Sequence, residues 1–298
     1  MNNSNSTIKK IKEGFIESLL FVSAVSSIFI TLSIVVILSY ESFGFFAVVS
    51  IIEFFTETEW TPLFENPKYG ILPLVMGTLL TTFIALTVAL PLGLLAAVYL
   101  SEYAPHRLRE IVKPILELLA AVPTVVYGYF ALLFLTPILQ EFIPELSGFN
   151  ALSPGIIIGI MIIPYVSSVS EDAMKAVPMH IREGSYAMGA TKFQTAFKVI
   201  IPAAFSGIAA AFVIGISRAV GETMVVAIAA GMMPNFTINP MEPVQTLTAY
   251  IVQVSLGDVP HGTIEYKTIF AAGITLFMMT LFFNIISFWL RKRIREAY

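Results

Sequence analysis

Apolar residues in this chain gather in long runs rather than alternating with polar ones. The runs fall at about 17–40, 71–100, 115–139, 152–169, 203–231 and 268–290, with shorter polar segments between them. A run of about 20 apolar residues is the length a helix needs to cross the hydrocarbon of a bilayer. The pattern therefore predicts an all-α, polytopic membrane protein with six transmembrane helices. Residues 41–69 read as a connector whose short apolar middle, 43–55, suits an interfacial helix. A second connector, 232–267, is rich in Pro, Asn and Thr. Pro73, Pro91 and Pro123 lie inside predicted spans, where neighbouring helices can satisfy the freed carbonyls. Gly77, Thr78, Thr81 and Thr82 form a small, weakly polar face of the kind that packs helix on helix.

Composition agrees with this class and charge orients it. The chain has 298 residues, 57% hydrophobic and only 12% charged, where a soluble domain has about a quarter charged. Of the 17 Lys and Arg residues, all but Lys68, Lys267 and the intramembrane Arg218 fall at the N-terminus (Lys9, Lys10, Lys12), in 101–113, in 170–201, or after the last span (Arg291, Lys292, Arg293, Arg295). The positive-inside rule then places both termini in the cytoplasm. The first apolar run is too long for a cleaved signal peptide and has no small-residue cleavage site. With no cysteine there is no disulfide or thiolate metal site. His106, His180 and His261 are scattered in loops and read as solvated.

The candidate chemistry is in the fifth run. Its only ionisable side chains are Arg218 and Glu222. Charge at membrane depth is costly and marks functional positions. A continuous helix would put the two heads on one face, four residues apart. An Arg fork suits an oxyanion such as phosphate, and Glu222 could hold it when no anion is present. The competing reading is a fixed ion pair tying this helix to its neighbours. Glu117, near the predicted start of the third span, and Tyr127 are read as structural.

The loop at 171–202 carries the most specific signal. Glu183-Gly184-Ser185 is followed after three residues by Gly189, and after nine more by Val199, one residue, then Ile201-Pro202. This resembles the E-A-A, three, G, nine, I, one, L-P loop of type I ABC importer permeases of the MetI-like fold. Gly184 and Ser185 replace the two alanines. Gly189 permits a sharp break, and Pro202 can open the next helix without losing a hydrogen bond. Further stretches are similar to the phosphate-specific importer permeases: 58–62, Gly77-Thr78-Leu79, 99–105, Ala121 to Gly128, and Ser217 to Met224. The Thr58-Glu59-Trp60 stretch and the Gly-Glu-Thr-Met ending look like the PstC type of these permeases.

The resemblance implies a non-enzymatic subunit of an ATP-driven phosphate importer in the cytoplasmic (inner) membrane. It divides the chain into 1–70, with tail, first span and external connector, and 71–298, a permease core of five spans. It implies as partners a homologous PstA-type permease, two ABC ATPase subunits, one of them docking on the 171–202 loop, and an external phosphate-binding protein. No Walker P-loop is present, so ATP hydrolysis belongs elsewhere; no cofactor, metal or nucleic acid is expected. Arg218 chemistry alone would also fit a permease for sulfate, molybdate or a phosphonate. A stand-alone carrier or channel would have no use for an ATPase-coupling loop.

Overall fold

The computed structural model describes residues 3–294. Arg295 lies outside the described residues, as do the side chains of Lys9, Lys10, Lys12, Arg291, Lys292 and Arg293. The fold is helical: α1 Asn3–Phe46, α2 Ile51–Thr56, α3 Leu72–Val98, α4 His106–Ala121, α5 Thr124–Phe130, α6 Thr136–Phe142, α7 Leu152–Lys175, α8 Met179–Ala187, α9 Lys192–Thr195, α10 Ile201–Ala203, α11 Phe205–Val220, α12 Met224–Ala229, α13 Leu247–Ser255 and α14 Ile264–Ile294. Single π turns extend α3 (Tyr99–Tyr103), join α5 to α6 (Ala131–Leu135) and join α9 to α10 (Ala196–Ile200). The β pairing among the described residues is confined to two isolated bridges, Trp60 with Tyr69 and Gly231 with Val244.

Five helices are long and apolar enough to cross a membrane, and a pair bent by 74°, Lys192–Ala203 with Phe205–Val220, brings the number to six when it is counted as one span. The core is the packing of α3, α7 and α11. Gly155 and Gly159 of α7 let α3 come close: a Cβ on Gly159 would lie 2.7 Å from the Ala85 carbonyl oxygen, the small-residue contact that substitutes for a hydrophobic driving force in lipid. Large apolar side chains of α1, such as Phe21 and Phe29, are exposed, as a lipid-facing surface requires. The helix α1 is held at its outer end, where the Ser42 hydroxyl donates to the Phe270 carbonyl of α14 at 2.9 Å.

Three expectations are corrected. The third span does not begin at 115. Residues 106–121 form α4, which alternates bases and acids with apolar residues and buries none of them. Val122, preceding Pro123, is extended, as the proline ring demands of the residue before it, and the membrane crossing starts only at Thr124. The segment 43–55 is not one interfacial helix: it holds the end of α1, a turn and most of α2. Phe45, Phe54 and Trp60 are buried together with Tyr250 of α13. The third correction concerns the fifth span.

Candidate functional site

The fifth run is broken where its charges lie. The helix α11 ends at Val220 and α12 begins at Met224. Local side chains compete for the backbone here, which is how Ser, Thr and carboxylates interrupt helices. The Thr223 hydroxyl donates to the Gly221 carbonyl at 3.1 Å, and the Val225 N–H donates to Glu222 Oε1 at 3.3 Å. Glu222 is 7% exposed, and its carbonyl accepts the Thr248 hydroxyl of α13 at 2.7 Å. Arg218 and Glu222 therefore do not share one helix face, and no ion pair joins them among the described residues. Glu222 caps the start of α12 instead.

Arg218 occupies the last turn of α11, where the helix dipole favours a cation. Its guanidinium lies over the Tyr165 ring of α7, 4.3 Å from the centroid, a cation–π contact. Its Nε is buried and has no hydrogen-bond partner. The cation is thus held by a ring face while its Nε donor stays unspent. The Tyr165 hydroxyl reaches the Ala120 carbonyl of α4 at 3.3 Å. Beside it, between α4 and α7, lies a cavity of about 180 Å³ lined by Lys113, Glu117, Tyr165 and Glu171 among others. Glu117 is therefore a cavity residue on α4, not the opening of a span. Tyr127 is structural as expected: its hydroxyl donates to the Leu119 carbonyl at 2.7 Å.

The second connector enters this site. Instead of forming an external loop throughout, it carries α13, capped by the Thr246 hydroxyl accepting from the Ala249 N–H at 3.2 Å. The Leu247 N–H donates to the Thr78 hydroxyl at 3.0 Å, so the Gly77–Thr78 seam receives α13. A Cβ on Gly128 of α5 would lie 2.9 Å from Ile228 of α12. Trp60 meets Tyr250 edge-on at 5.0 Å. Stretches 58–62, 77–79, 121–128 and 217–224, distant in sequence, converge around one helix break.

At the other end of α7, the 171–202 loop forms α8, a turn, and α9. Gly189 adopts φ +83 between them, with open space around it. Glu183 and Gly184 are exposed; the Ser185 hydroxyl shares a hydrogen bond with Thr195 at 2.9 Å. Val199 lies in the π turn at 196–200, and Ile201 and Pro202 start α10, next to the bend. The buried Glu171 ends α7 among three cations: Arg109 at 3.3 Å, Lys113 at 3.6 Å, and Lys175. Lys113 also meets Asp172 at 3.0 Å. Burial works against the charged form of Lys113, but these two carboxylates outweigh it and raise the pKa above the usual lysine value. Sequence reasoning missed Tyr165, Thr248, Glu171 and Arg182, because each acts through a partner far away in the chain.

Residues 89–296 match the family described as binding-protein-dependent transport system inner membrane component. The chain belongs to this family. Among curated relatives of this inner membrane component, the "Probable ABC transporter permease protein YqgH" of Bacillus subtilis is 37% identical over 82% of the chain and 79% of that protein. The "Phosphate transport system permease protein PstC" of Xylella fastidiosa is 32% identical over 77% and 75%. Among solved structures, a bacterial alginate ABC transporter, in complex with an alginate pentasaccharide-bound periplasmic protein, aligns over 97% of this chain and 98% of its own with a TM-score of 0.66. At 18% identity that likeness speaks for the fold alone. The chain is a multi-pass transport permease of the inner membrane, with the ABC permease fold.

Proposed function

We propose that this permease carries inorganic phosphate inward as the PstC-type subunit of an ATP-driven importer. It pairs with a homologous PstA-type permease; of two separate ATPase subunits, one binds the exposed face of α8, and an external phosphate-binding protein docks on the outer connectors. The observation that carries the reading is Arg218: a guanidinium with an unspent Nε donor at a break in a membrane helix, in a chain whose relatives include permeases named for phosphate. The anion replaces the weak ring contact of Arg218 with charge-assisted hydrogen bonds, each worth about 1.5–3 kcal/mol. Glu222 shapes the break rather than competing for Arg218. Binding must remain weak enough for release, and a single arginine with a ring as its resting partner meets that need.

The test is labelled-phosphate uptake in cells lacking their own high-affinity system, with this chain expressed beside its partner subunits. Saturable uptake that sulfate does not compete, and that disappears in Arg218→Gln at unchanged membrane abundance, supports the reading. Transport of sulfate, molybdate or a phosphonate in place of phosphate keeps the permease and replaces the substrate. Uptake that persists without ATP while the proton gradient is held would make the chain a carrier.

A further inference from the structure

One side chain of α8 is buried, and it is a cation. Arg182 is the sole buried residue of α8, whereas arginines are almost never fully buried unless paired. Its Nη2 reaches Glu102 Oε1 at 3.1 Å, and Glu102 also accepts the Ser101 hydroxyl at 2.7 Å. Both residues belong to the π turn that ends α3. The carbonyls of Leu100 and Ser101 in the same turn accept from Arg109 of α4, and Arg109 pairs with Glu171 of α7. The π turn is thus a junction where α3, α4, α7 and α8 are tied by buried charge. The turn itself is a local departure from α geometry of the kind found at functional sites.

We propose that Arg182 is a positioning residue that fastens α8 to the end of α3 through Glu102. A displacement of α8 then reaches α3 directly, and does not pass only along the chain into α7 and α11. This rests on the proposed function, in which an ATPase moves α8. The pair holds α8 and the π turn as one rigid unit through the cycle. The plainer role for Arg182 is to cap α7, since it also donates to the Met174 and Val177 carbonyls, a common use of arginine at helix C-termini. The two roles separate at Glu102, because Glu102→Gln removes the ion pair and leaves both carbonyl bonds available.

The experiment uses the complete transporter in proteoliposomes with its external binding protein, reading anion imported per ATP hydrolysed. Coupling energies of 1–3 kcal/mol are typical between linked sites, so Glu102→Gln should lower that ratio about tenfold while the subunits still co-purify and basal ATP hydrolysis continues. The chain has no cysteine, which permits a second arm. Glu102→Cys combined with Arg182→Cys should be uncoupled as free thiols, regain the ratio when joined by a short reducible thiol cross-linker, and lose it again on reduction. An unchanged ratio in Glu102→Gln overturns the proposal, as does a cross-link that arrests transport. Loss of assembly in both variants would make the pair a folding contact and also overturn it. If the wild-type complex imports another oxyanion, the phosphate assignment fails while the ratio, read with that anion, still tests the junction. If it shows no ATP-driven import at all, both fall.

Discussion

With its Nε buried and unbonded and its charge resting on the Tyr165 ring, Arg218 keeps a donor an anion would use. Arg218→Lys preserves charge but not the planar fork. It should retain membrane abundance and lose most phosphate uptake, by a factor of about 10 to 150 for one charge-assisted bond lost, read as initial uptake rate. Glu222 should behave differently. Glu222→Gln keeps an oxygen for the Val225 N–H and should transport near normally, whereas Glu222→Ala removes the cap and should lower stability by about 1 kcal/mol. Thermal unfolding of the detergent-solubilised protein measures that difference. The sequence marked Arg218 and Glu222 because charge in an apolar run is conspicuous. It could not reveal that Glu222 turns away to the backbone, since that depends on where a helix ends. Tyr165 and Thr248 were not visible at all: an aromatic in an apolar run, or one threonine in a connector rich in threonine, has no sign until its partner is known.

At the scale of elements, the apolar runs located five of the six crossings to within a few residues of one of their ends. They failed where two different helices share one run. Between 106 and 142 an amphipathic surface helix passes into a spanning one at Pro123, and hydropathy averaged over both sees a single span. The helix pairs that matter are set by close approach. Gly128→Leu should force α5 away from Ile228 and cost about 1–3 kcal/mol in overpacking, with loss of uptake; its readout is a lower unfolding temperature of the purified subunit. Thr78→Val should leave the buried Leu247 N–H without an acceptor, at a cost of about 1–3 kcal/mol, detected as faster hydrogen exchange at the start of α13. The 171–202 loop was legible because its spacing is a pattern in itself: the glycine it demanded does adopt the left-handed conformation.

Across the whole molecule, charge distribution alone predicted that both ends face the cytoplasm, and six crossings, with the bent pair counted as one, would put them on one side. Single cysteines replacing Glu145 and Gly184, introduced into a chain that has none, should label with a membrane-impermeant thiol reagent from opposite sides, Glu145→Cys from outside intact cells and Gly184→Cys only after the membrane is opened. Labelling of both from one side would refute the topology. Several apolar side chains of α5, α6 and the π turn between them, including Tyr129, Phe130, Leu133 and Phe142, are exposed.

The π turn at Tyr99–Tyr103 makes chain length a functional variable. It holds one residue more than an α-helix would place over the same rise. Deleting Tyr103 would let the turn close to α geometry over the same rise, so the chain beyond keeps its place while Glu102, inside the turn, swings about the helix axis by up to about 100°, the angle per residue of an α-helix. Glu102 would then point away from Arg182 although no side chain of the junction need be lost. A gap of a single residue at this place in a related sequence should therefore signal a different linkage between membrane and coupling loop, where a conservative substitution would not.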